Sequence, residues 1–152
     1  MSEDLATWQR KTAMRCNNRA WDLSVQQQRT PAEDREMLDA AHTSAFHWNE
    51  IGTELHRMRA SMLLAEVHAL LGNGPMALRI AEPMRLYFLA KTDTPDWEKT
   101  LTHAVHAHAA HAAGDAAAHR ASYARAQEAL AAIADPEDRK IVEASFACVP
   151  AP

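Results

Sequence analysis

Histidine is the residue type with most chemical potential in this chain: nine occur, and four crowd into His103-Ala-Val-His106-Ala-His108-Ala-Ala-His111. At 3.6 residues per turn, His103 and His106 stand side by side, while His111 falls away from His106. That is not a tight three-ligand face. With no HExxH and no paired carboxylate, His103, His106 and His111 are expected to be solvated or groove-lining, and no metal is expected. His108 differs, because it sits inside an apolar stripe of Trp97, Leu101, Ala104, Val105 and Ala112. His119 occupies the corresponding stripe of the next helical segment. His108 lies six residues before Gly114 and His119 five after it, so an antiparallel hairpin predicts that they approach. Tyr123 follows one turn further on. The group reads either as a satisfied core pair or as a small-ligand or metal pocket. A buried pair resists double protonation, so stability is expected to fall as pH is lowered through the region near 6.

Three further groups of polar residues bear on function. His47 and Glu50 share a helix face at the spacing of carboxylate–histidine metal sites in bundles. Such sites need a second copy, and Glu66 and His68, two apart, diverge. His47 and Glu50 therefore read as a surface pair, and His42, between Leu38 and Phe46, as partly buried. Glu54, Arg57, Ser61 and His68 share the polar face of one helix, which Arg15 and Asn18 could extend. This strip is the candidate partner-binding surface, a solvated face being the alternative. Asn17 and Asn18 sit mid-helix, where Asn is mildly unfavourable, and are suited to bonding a neighbouring backbone or a bound peptide. Nucleophilic catalysis has no support. Cys16 falls in a core stripe with Leu5, Thr12 and Leu23, and Ser61, Ser122 and Ser145 lack a nucleophile-elbow sequence. Glycine occurs only four times, so no phosphate-cradling loop is available and no cofactor is expected.

Long Ala/Leu-rich helical patterns must position these groups. Seven segments are predicted, at about 3–28, 32–51, 54–71, 75–90, 95–113, 115–134 and a short one opening at Asp135-Pro136, with no strand pattern. The breaks Gly72-Asn73-Gly74-Pro75 and Gly114-Asp115 match, their first glycines 42 residues apart, which signals consecutive hairpins on one plan. In the third helix Ala60, Leu63, Leu64, Val67, Leu70 and Leu71 form one apolar stripe, and Leu55, Met58, Met62 and Ala65 a second. Two stripes mean a helix packed on both flanks. Pro83 lies inside the fourth helix, where a kink is expected.

Composition narrows the class. A net charge of -4 with both signs interspersed argues against a nucleic-acid binder, which needs a basic stripe. Cys16 and Cys148 lie near opposite ends without a CxxC, and read as reduced thiols. The start, MSEDLATWQRKTAMR, lacks an apolar h-region, and no stretch approaches a membrane span, so a cytoplasmic location is expected. One domain over 1–148 with a tail at 149–152 fits the length.

Leu70-Leu71-Gly72-Asn73 followed by Ala77, and Ala113-Gly114-Asp115 followed by Tyr123 and Ala126, resemble the helix–turn–helix of tetratricopeptide (TPR) repeats. Asn17-Asn18-Arg19-Ala20-Trp21-Asp22-Leu23 is similar to the opening helix of such arrays. The chain as a whole resembles a family of uncharacterised bacterial proteins with TPR-like hairpins. Its 42-residue spacing exceeds the roughly 34 of the standard repeat, and His68 and Ala110 stand where an aromatic is usual. The resemblance implies an all-α, right-handed stack of three antiparallel hairpins closed by a short C-terminal capping helix. The function expected is a non-enzymatic adaptor or scaffold binding a protein or peptide. The alternative is a histidine-lined helical bundle binding a metal or small ligand, with enzymatic activity within its scope. Trp8 and Trp21 on an uncapped first hairpin are compatible with homodimerisation.

Overall fold

The computed structural model describes residues 3–152; Met1 and Ser2, where the expected domain begins, lie outside the described residues. The described chain is all-helical: α1 (Leu5–Ser24), α2 (Pro31–Ile51), α3 (Glu54–Leu70), α4 (Gly74–Ala90), α5 (Asp96–Ala112), α6 (Ala116–Ala132) and α7 (Pro136–Phe146). None of these helices is long and apolar enough to cross a membrane.

Local chemistry sets the helix starts. The Thr30 hydroxyl accepts from the Glu33 N–H while the Glu33 carboxylate accepts from the Thr30 N–H, a reciprocal cap reinforced by Pro31 at the first turn. Thr53 and His56 close the start of α3 in the same way, with imidazole in place of carboxylate. Asp4, Asp115 and Asp135 cap α1, α6 and α7. Two of the ends are copies of each other. Gly72 and Gly114 take φ of +77° and +80°, and the next N–H of each turn, from Asn73 and Asp115, donates back to His68 O and Ala110 O. This left-handed stop is favourable only for glycine. The first helix ends four residues earlier than its pattern suggests. There the Arg29 guanidinium donates to Leu23 O and Gln26 O, drawing the loop back over the helix terminus.

Packing follows two rules. Each helix lies against its sequence neighbours, and the odd-numbered helices also touch in succession: α1 on α3, α3 on α5, α5 on α7. The double stripe of α3 explains the first two contacts. Leu63, Leu64 and Val67 pack with Ala20, Leu23, Met37 and Ala41 from the first two helices. Met62, Ala65 and Ala69 pack with Ala77, Ala81, Met84, Phe88, Val105 and Ala109 from the next two. Phe88 is 1% exposed, and burying such a side chain contributes about 2–3 kcal/mol. Small residues bring helices close: a Cβ at Gly74 would stand 2.2 Å from Ala112 O, so α4 starts directly on the end of α5. Pro83 is exposed and α4 continues past it to Ala90.

Helix α7 packs Phe146, with Val149 beyond it, on Ala104, Ala107 and Ala126 of α5 and α6. The last residues are docked, since Val149 is buried and Pro150 O accepts from His119 Nε2 at 2.7 Å. Cys148 Sγ lies 3.5 Å from Ser24 O, so the end of the chain returns to the end of α1. Both cysteines are free thiols.

Candidate functional site

The odd-numbered helices line a half-open cavity of about 590 Å³. Helix α1 and its C-cap contribute Asn17, Trp21, Asp22 and Val25; α3 contributes Arg59 and Met62. Trp97, Glu98 and Leu101 come from α5, and Asp138, Ile141 and Val142 from α7. The walls are chiefly apolar, and Ile141 is 66% exposed with nothing covering it. Asp22 and Asp138 stand exposed at the rim.

One ion pair organises the middle of this cavity. Arg59 Nε and Nη2 donate to Glu98 Oε2 and Oε1 at 2.7 and 3.1 Å, a two-pronged guanidinium–carboxylate pair. Glu98 is 2% exposed, and its hydrogen bonds hold the Arg59 pKa above the ordinary arginine value. The same guanidinium lies 5.6 Å from the centroid of the Trp97 ring, so this aromatic face accepts a cation. A second cavity of about 310 Å³ shares Asn17 and Arg59 and adds Arg10, Met14, Asn18 and Trp48. There Trp48 and His56 stack at 4.3 Å, and burial, followed by the Arg10 and Arg59 charges, lowers the His56 pKa. The two hollows adjoin along the face of α1.

The expected partner-binding strip falls elsewhere. Glu54 is exposed, Ser61 is half-buried, and the Arg57 guanidinium donates to Gly52 O at 2.8 Å; none of them lines either cavity. His68 is buried, its ring edge-on to exposed His42 at 5.4 Å and its Nδ1 3.2 Å from Asn73 Nδ2. Asn18 reaches the second cavity, whereas Arg15 is exposed and reaches neither. The polar side of α3 is not its cavity side. Its neighbours α1 and α5 flank Arg59 and Met62 across the cavity, so the open face there is mixed rather than polar.

The histidines are partnered differently from expectation. His108 Nδ1 lies 2.8 Å from Glu66 Oε1, and both groups are buried. His119 meets the His111 ring at 4.8 Å and Tyr123 edge-on at 6.1 Å. His108 and His119 are thus turned to opposite neighbours, one toward α3 and the other toward the chain end, and the expected pair is replaced by His111 with His119. His106 is buried rather than solvated, with Nδ1 2.6 Å from Ser122 Oγ and Nε2 2.6 Å from Glu82 Oε1. A carboxylate only accepts, so Nε2 carries a proton there. Burial works against the Glu82 charge, yet the His106 hydrogen bond and the Arg85 charge outweigh it and lower its pKa. Ser–His–carboxylate connectivity is that of hydrolytic nucleophiles. Here Ser122 is 6% exposed and borders neither cavity, so the chain of bonds straps α4, α5 and α6 together. His47 packs between Trp8 and Phe46 at 5.4 and 5.5 Å, and Glu50 is exposed. Among the described residues no group of three His, Cys, Asp or Glu side chains is placed to hold a metal ion.

Sequence reasoning missed the cavity: it placed Trp97 and Met62 in packing stripes and gave Arg59 and Ile141 no role. One signal was available: Trp21, Trp97 and Ile141 are large apolar residues on α1, α5 and α7, the helices that line the hollow together with α3. Trp21 accordingly faces the cavity, and Trp8, 49% exposed, remains on the outside. Comparison with known protein families, with curated proteins and with solved structures finds no match for this chain.

Proposed function

We propose that the protein is a non-enzymatic interaction module, a TPR-like stack of three hairpins with α7 as its cap, which holds a peptide segment of its partner between the odd-numbered helices. The observation that carries this reading is the 590 Å³ apolar cavity rimmed by Asp22 and Asp138. Its only arginine, Arg59, is neutralised by Glu98. The complementary segment carries a bulky apolar residue flanked by lysine or arginine. Apolar contact supplies affinity, and the rim carboxylates supply orientation and encounter rate.

A second reading has its own support: the cavity volume lies within the roughly 300–1,000 Å³ typical of small-molecule sites. An apolar small ligand then replaces the peptide, in the same place. Selection of random peptides on the immobilised protein separates the two. The expected winners are basic–apolar segments that quench or shift Trp21 and Trp97 emission and bind at least about tenfold more weakly to Ile141→Asp. Failure to enrich any Ile141-dependent sequence, alongside saturable uptake of an apolar dye, favours the small ligand.

A further inference from the structure

On the outer side of α5, the His106 bonds fix a row of three side chains, one from each of α4, α5 and α6: Glu82, His106 and Ser122. One turn further along each helix stands a second row, Arg85, His103 and Arg125. The second row is unsatisfied. Arg85 Nε and His103 Nδ1 are shut off from solvent without any hydrogen-bond partner. The nearest carboxylate oxygen to the Arg85 guanidinium is Glu82 Oε2 at 3.5 Å, and that side chain is committed to His106 through its other oxygen. Three basic side chains from three helices therefore converge where two nitrogens lack partners.

We propose that Arg85, His103 and Arg125 form a binding site for a small tetrahedral oxyanion of the phosphate or sulfate class. Guanidinium groups present paired N–H donors that match such oxygens, and the Arg85 side chain, 30% exposed, holds only a 3.5 Å contact to Glu82. Burial, followed by the charges of Arg125 and Arg85, pushes His103 down to about 4, so the ring is neutral near pH 7. A bound anion cancels both arginine charges at this ring and lets it take a proton as a third donor. Glu128, exposed on α6, is the one opposing charge acting on His103 and limits the affinity without occupying the row. The site lies outside the set of residues lining the apolar cavity and stands or falls separately from the peptide reading.

The test is NMR titration of the histidine ring signals with inorganic phosphate, against sodium chloride of equal ionic strength. His103 signals are expected to shift saturably, and its pKa to rise from about 4 by about one unit or more. Arg125→Gln, at an exposed position that leaves folding intact, is expected to weaken binding at least about tenfold, and Arg85→Gln likewise. Running AMP beside phosphate distinguishes a free anion from one carried on a nucleotide; saturation by either one supports the site. Absence of any saturable His103 response to both, or phosphate affinity unchanged in Arg125→Gln, overturns the proposal.

Discussion

Glu66 and His108 are equivalent positions of successive helical units, each six residues before its left-handed glycine, and they are hydrogen-bonded to each other across 42 residues at 2.8 Å. The spacing between the two glycine turns is thereby spanned by a buried bond between α3 and α5. The other carboxylate oxygen of Glu66 has no partner, so its anchoring rests on His108.

Glu66→Ala and His108→Ala should each lower stability by about 2–4 kcal/mol, because each strands a buried polar partner. Urea unfolding of both single variants and the double variant measures the coupling. A coupling energy of at least about 1 kcal/mol is expected; additive losses would mean that the bond is incidental.

His103 gives the molecule a defined response to acid. Its folded pKa of about 4 lies below the ordinary value of 6.5, so the unfolded chain binds the extra proton first. Its contribution to stability is complete above pH 6.5, shrinks as pH falls, and is gone below about pH 4. His56 and His68, both lowered chiefly by burial, act with the same sign. Discounted for its partial exposure, His103 accounts for about 1–2 kcal/mol. Thermal melts of His103→Gln between pH 7.5 and 4.5 should show a correspondingly flatter profile, about this much less steep than wild type. Parallel profiles would remove His103 from the account.

The two glycines of the α3–α4 turn should respond for different reasons. Gly72→Ala meets open space but keeps φ at +77°, and should cost about 1 kcal/mol. Gly74→Ala drives a methyl into Ala112 O and should cost about 1–3 kcal/mol, with displacement of α4 from α5. Equal losses at the two sites, measured by chemical denaturation, would contradict the distinction.

Removing the Arg59 charge should hurt more than its exposed position suggests. Arg59→Met leaves Glu98, 2% exposed, without its cation, and a loss of about 2–4 kcal/mol is expected. Glu98→Gln combined with Arg59→Met should recover part of it. If the double variant is no more stable than Arg59→Met alone, the buried carboxylate is satisfied by other means.

How far the residues foretold this arrangement depends on the range of the interaction. Helix ends were legible because Thr30, Thr53, Gly72, Gly114 and Asp135 stop or start a helix through bonds within a few residues. The two flanks of α3 were legible because its stripes are separately apolar. Polar partners were not. His106, His108 and His111 sit on one helix at offsets of two or three residues, and which neighbour each meets is fixed by how α3, α4 and α6 dock around α5. Alanine-rich surfaces carry little directional information, so helix periodicity alone left those orientations undetermined. The cavity was missed for a related reason: Met62 and Trp97 sit in apolar stripes that read as packed core, and nothing local shows that Arg59 and Glu98 pair beside them.

Cys148 resting 3.5 Å from Ser24 O has a consequence for evolution and engineering. In open repeat arrays, length is free, and units can be added at little cost. Here Cys148, just past α7, touches the last residue of α1, so inserting another pair between α5 and α7 would carry Cys148 about 10 Å from Ser24 and widen the hollow. Growth by duplication would cost this contact, which ties the number of helices to the size of what fits between them.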